Sequence, residues 1–200
     1  MIALIPGFLT GLSLIVAIGA QNAFVIRQGL LRSHVFIVVA FCSLSDALLI
    51  VLGTGGLGKA IKSRPDLLTF IRWFGVAYLV WFGIKSLRSA FTDNQLLASG
   101  EAEISKSRVL SSVAALTYLN PHVYLDTVIF VGSIANQFKG DRWYFAFGAS
   151  MASLLWFFSI GFGAQVASRV MAKPIFWRVF DTFVAIVMFS IAFSLAIFEF

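Results

Sequence analysis

Charge is scarce in this 200-residue chain: Asp, Glu, Lys and Arg make up 12% of it, while 60% is apolar. So little charge excludes an ordinary water-soluble domain, in which about a quarter of residues are ionisable. Cysteine is scarcer still. Cys42 stands alone, so neither an internal disulfide nor a cysteine metal cluster can form within the chain. Only two histidines, His34 and His122, accompany it, which is a poor ligand set for a soft metal. No Walker-type phosphate loop, no H-E-x-x-H and no G-x-S-x-G occurs, which argues against ATP hydrolysis, a zinc protease and a familiar serine hydrolase. No cofactor is expected. Strands of about ten alternating residues are missing too, and continuous runs such as HVFIVVAFCSLSDALLIVLG exclude a transmembrane β-barrel. No Lys or Arg precedes the first apolar run, which argues against a cleaved signal peptide.

What remains is a series of hydrophobic tracts. Six can be marked off, at about 3–26, 35–57, 67–90, 110–134, 143–168 and 179–199. Each is long enough to cross roughly 30 Å of hydrocarbon as a helix. The reading is an all-α membrane protein with one transmembrane domain, 1–200. The formal net charge of +6 reflects basic residues flanking the tracts, where they meet lipid headgroups, so no nucleic-acid partner is called for. Lys and Arg number 9 in loops 1, 3 and 5 and 6 in loops 2 and 4, a small excess that favours both termini outside.

One extended polar linker, residues 91–108, divides the chain into halves of three tracts each, 1–90 and 109–200. An odd number per half makes two similar halves enter the membrane in opposite directions, the inverted-repeat plan of many secondary transporters. A shift of 99 residues lays GAQNAFVIRQG over YLNPHVYLDTV, so that Gln21 meets Asn120, Asn22 meets Pro121 and Arg27 meets Asp126. Pro121 lacks an amide hydrogen and crowds the preceding turn, which interrupts tract 4 and frees carbonyls. Gly19, Gln21 and Asn22 mark a softer interruption of tract 1. Broken helices of this kind hold substrate and ions near the midplane; a plain proline kink is the alternative.

Ionisable residues inside the tracts sharpen the question. A lone ionised Asp at the centre of a span costs roughly 2.5–3.5 kcal/mol on insertion scales. Asp46 lies there in tract 2, sharing a helical face with Cys42, Ser43, Ile50 and Gly53. It either holds a substrate or coupling ion, or simply joins helices through hydrogen bonds. Asp126 stands one turn after His122, where the two side chains can meet, and an Asp beside an imidazole can carry a proton or an organic cation in turn. Arg27 either snorkels to the interface or pairs with Asp126. His122 is a hydrogen-bonding partner or a proton relay. Gly7-xxx-Gly11 is a close-packing signature that serves contacts within one subunit or in a homo-oligomer.

The segments IGAQNAFVIRQGL, SLSDALLIVLG, RWFGVAYLVWFGIKS and LTYLNPHVYLDTVIFVGS closely resemble the LysE/ArgO-type lysine/arginine exporters, over nearly the whole chain. The resemblance implies a bacterial cytoplasmic-membrane protein that expels L-arginine, L-lysine or similar basic amino acids. It places Gln21, Asn22, Asp46, Asn120, Pro121 and Asp126 on the family's motif positions. Where the family usually reads Gly-Pro-Gln-Asn, this chain has Gly19-Ala20-Gln21-Asn22, so a milder break is expected in tract 1. Export of a cation against an interior-negative potential needs an energy source, about 2.3 kcal/mol per charge per 100 mV. Proton antiport through a carboxylate is the economical one. Related families in the same superfamily move neutral amino acids, which remains the alternative substrate class.

Overall fold

The computed structural model describes residues 2–16, 19–57, 63, 65–91, 105–120, 123–166 and 174–197. Among them the regular structure is wholly helical, with eight α-helices. We number them α1 (Leu4–Ile15), α2 (Ala20–Leu30), α3 (Val35–Thr54), α4 (Pro65–Phe91), α5 (Lys106–Tyr118), α6 (Gly132–Gln137), α7 (Arg142–Val166) and α8 (Pro174–Ile197). A π-helix, Tyr124–Val131, runs directly into α6.

Three segments, Val35–Thr54, Lys139–Val166 and Ile175–Ile197, are individually long and apolar enough to cross a membrane. The pair α1 and α2, bent by 80°, makes a fourth if it counts as one span. The tract expected at 67–90 is the single 27-residue helix α4, and that at 110–134 is divided among α5, the π-helix and α6. On α3 and α8 the exposed side chains include Phe36, Leu44, Leu48, Val179, Ile186 and Phe193. Water would not tolerate such faces on a folded monomer; lipid tails would.

Helix α7 is the hub, packing against α1, α2 and α3. Its inward face is a run of small residues, Ala146, Gly148, Ala149, Ala152, Ser153 and Gly161, which lets neighbouring backbones approach closely. Gly7 and Gly11 use this run. A Cβ on Gly7 would fall on the Phe145 carbonyl oxygen, and one on Gly11 would sit 2.8 Å from the Ala149 Cα. The Gly7-xxx-Gly11 signature is therefore used inside this chain. Helices α4 and α8 form a second layer, packed extensively on each other and joined to α2 through α8. Arg72 of α4 closes the end of α8 by donating from Nε to the Leu195 carbonyl at 2.7 Å and from Nη2 to the Ala196 carbonyl at 2.6 Å. Those are the orphan acceptors that every helix C-terminus leaves.

Candidate functional site

Two interruptions build the site. Helix α1 ends at Ile15 and α2 begins at Ala20 with Gly19, in extended conformation, as its N-cap. The break thus falls just ahead of Gln21, which lies in the first turn of the restarted helix. Ending α1 frees the carbonyl of Ile15, and Asn22 takes it up: its Nδ2 donates to that oxygen at 2.8 Å. Trp156 of α7 donates from Nε1 to Asn22 Oδ1 at 3.3 Å, which fixes the amide's orientation.

The second interruption follows the same logic with other residues. Helix α5 ends at Tyr118, and regular structure resumes at Tyr124 as a π-helix. Tyr124 reaches back across the gap, its hydroxyl donating to the Tyr118 carbonyl at 2.9 Å. The Tyr118 hydroxyl shares a 2.9 Å hydrogen bond with Ser45 of α3, one residue before Asp46. Pro121 and His122 lie outside the described residues. The π-helix carries Asp126 and Thr127, and π-type winding recurs where a helix presents functional groups.

Between the two interruptions lies a cavity of about 240 Å³. Gln21, Asn22, Asp46, Asn120 and Asp126 all line it, together with Thr127 and a wall of Leu14, Ile15, Ile50, Val131 and Phe157. Asp46 is 3% exposed and accepts a hydrogen bond from Ser153 of α7 at 2.8 Å. The α3 strip of Cys42, Ser43, Asp46, Ile50 and Gly53 is buried throughout. Asp126 is half-buried. Gln21 is buried, and its side chain lies beside the cavity next to Cys42. Two carboxylates and the amides of Gln21, Asn22 and Asn120 thus share one space.

Ser153 and Thr127 belong to the site although nothing in the sequence singles them out. Their types are common in any membrane helix, so only the tertiary packing marks them. A third carboxylate was also passed over. Asp181 of α8, 1% exposed, holds Arg27 Nη1 at 3.6 Å and accepts from Ser89 Oγ at 2.7 Å, while the Arg27 guanidinium lies 5.5 Å from the centre of the Trp177 ring. Arg27 thus makes its ion pair with Asp181 in a cluster on the other side of α2. The signal was legible as an Asp interrupting the apolar run VFDTFVAIVMF.

Removing one partner of a buried pair strands the other, at about 3–5 kcal/mol when both are buried. Arg27 is 28% exposed, so Arg27→Leu should cost less, about 2 kcal/mol. Asp181→Asn in the same chain should restore much of that loss, because it removes the stranded charge. Thermal unfolding of the purified variants in detergent checks both expectations; an Arg27→Leu protein as stable as the parent would refute them.

The chain matches the model of the LysE type translocator family over residues 12–198. It is 42% identical over 195 residues to the arginine exporter protein ArgO of Pectobacterium carotovorum, covering 96% of this chain and 95% of that one. To the ArgO of Photorhabdus laumondii it is 40% identical, covering 96% and 94%. To the lysine exporter LysE of Corynebacterium diphtheriae it is 39% identical, covering 92% and 94%. No solved structure matches it. A family match across nearly the whole chain, on a helical fold with membrane-spanning apolar helices, has one reading: the chain belongs to the LysE type translocator family and is a membrane transporter, not an enzyme.

Proposed function

We propose that this transporter exports a basic amino acid, L-arginine or L-lysine, from the bacterial cytoplasm in exchange for protons. The observation that carries the proposal is the meeting of Asp46 and Asp126 in one cavity with the amides of Gln21, Asn22 and Asn120. Two carboxylates in a low-dielectric space favour a cationic side chain and an α-ammonium group. The amide of Gln21 and the start of α2 suit the α-carboxylate, since helix N-termini present free amide hydrogens and a positive dipole end. At about 240 Å³ the cavity lies below the usual range of roughly 300–1,000 Å³ for small-molecule pockets, which suits one amino acid rather than a peptide. Pro121 sets the second break, and His122 assists Asp126 in proton exchange.

The architecture in this proposal is six crossings in two inverted halves, 1–90 and 109–200, forming one domain. Its support is the parallel construction of the two interruptions, each closed by a side chain that reaches back to the last helical carbonyl, Asn22 to Ile15 and Tyr124 to Tyr118. Both termini lie outside by the loop charges, and a homo-oligomer is compatible with the exposed apolar faces.

The test is flux of labelled arginine, lysine and leucine in proteoliposomes, with and without a pH gradient. Arginine or lysine should move, leucine should not, and a gradient acidic on the acceptor side should accelerate export. Equal flux of leucine would assign the chain to the neutral amino acids instead.

A further inference from the structure

A second cavity, about 410 Å³, lies between α2, α4 and α5. Its charge has one sign. Arg27, Lys85 and Arg108 line it, and no Asp or Glu does so among the described residues. Arg27 is held by Asp181, but Lys85 and Arg108 are exposed and have no carboxylate partner among the described residues. Lys85 instead lies 5.4 Å from the centre of the Trp81 ring. Ser86 and Ser112 add hydroxyls to the wall. A further polar group is built in: Gln28, 2% exposed, also lines the cavity, and its Oε1 has no hydrogen-bond partner among the described residues.

We infer that this cavity binds a phosphodiester anion whose substituent carries hydroxyl groups, and that its occupant is the headgroup of an anionic phospholipid such as phosphatidylglycerol. Lys85 lies two turns from the end of α4 and Arg108 in the first turn of α5, so the cations cluster at one end of the helices, where headgroups lie. Trp81, also in the lining and one turn from Lys85, is a residue type that settles near the membrane interface. The cations meet the phosphate, the serines donate to its oxygens, and Gln28 takes the hydroxyl-bearing end. The volume exceeds what phosphate alone would fill. A cationic amino acid is disfavoured here, because the two uncompensated cations, Lys85 and Arg108, oppose it.

The site can be tested without transport. Protein in a neutral detergent would be titrated with short-chain phosphatidylglycerol, phosphatidylcholine and inorganic phosphate, with bound lipid counted by native mass spectrometry and stability followed by thermal unfolding. Phosphatidylglycerol should bind and stabilise; phosphatidylcholine should do neither. Near an anionic headgroup each Lys or Arg contributes about fivefold in binding, so Lys85→Gln with Arg108→Gln should weaken phosphatidylglycerol roughly thirtyfold. Lys106→Gln, a charge removed outside the lining, should lose far less. Gln28→Leu should weaken phosphatidylglycerol more than phosphatidic acid, which lacks the hydroxyl-bearing substituent. Competition by inorganic phosphate at similar concentrations would keep the anion site but overturn the lipid as its occupant. Unchanged phosphatidylglycerol binding in the double variant, or equal binding of phosphatidylcholine, would overturn the site itself.

Discussion

Asp46→Asn should lower export of arginine or lysine at least about thirtyfold while leaving the protein inserted and folded. The substitution keeps the size and shape of the side chain, and Ser153 Oγ can still donate to the amide oxygen as it now donates to Asp46. Folding should therefore change little. What disappears is one of the two carboxylates that line the cavity. Losing one partner of a desolvated charge pair costs about 2–5 kcal/mol, which sets the thirtyfold floor. Ser153→Ala supplies the complementary measurement, because it keeps the charge and removes its hydrogen bond, at roughly 1–3 kcal/mol for an unsatisfied buried group. If charge is what matters, Asp46→Asn will be the more severe of the two in flux and the milder in stability. Near-parental flux by Asp46→Asn would mean that Asp46 only ties α3 to α7.

Much of this arrangement was legible in the sequence for a simple reason. In a lipid-facing chain, polar residues inside apolar tracts are costly and must be compensated, so they point inward. The helical strip through Cys42, Asp46 and Gly53 could be drawn by periodicity alone, and its burial follows. The interruptions were legible because glycine and proline act locally. Their exact form was not. The first break falls ahead of Gln21, and the amide of Asn22 reaches back across it to Ile15. The π-helix after Tyr118 is a shift in hydrogen-bond register that leaves no mark in residue types. Ser153 was invisible for another reason: the polar partner of Asp46 sits on α7, 107 residues away, and nothing local announces it. Arg27 shows the limit of repeat logic, since sliding one half over the other aligned it with Asp126, whereas its ion pair is with Asp181 across the α2–α8 contact.

The largest qualitative effect expected is on coupling. If Asp126 binds either a proton or the cationic substrate, each transport cycle carries one positive charge outward and one inward. Export should then accelerate when the outside is made acidic relative to the inside, because protons entering from that side displace the substrate and the reloaded carboxylate returns neutral. Reversing the gradient should slow export. An imposed membrane potential without a pH gradient should leave the rate nearly unchanged, since no net charge crosses, whereas uncoupled movement of the cation would feel about 2.3 kcal/mol per 100 mV. Asp126 is well placed for such exchange, being half-buried on a π-helical segment at the cavity wall, while Asp46 is closed in by Ser153. Asp126→Asn should abolish the response to pH, because an amide has no titrating proton in this range, while slow exchange of substrate for substrate survives. Flux in proteoliposomes under clamped potential and stepped external pH separates the cases. A parental protein driven as well by voltage as by a pH gradient would rule out one-for-one exchange on a carboxylate, and a pH response that persists in Asp126→Asn would move the proton site to Asp46.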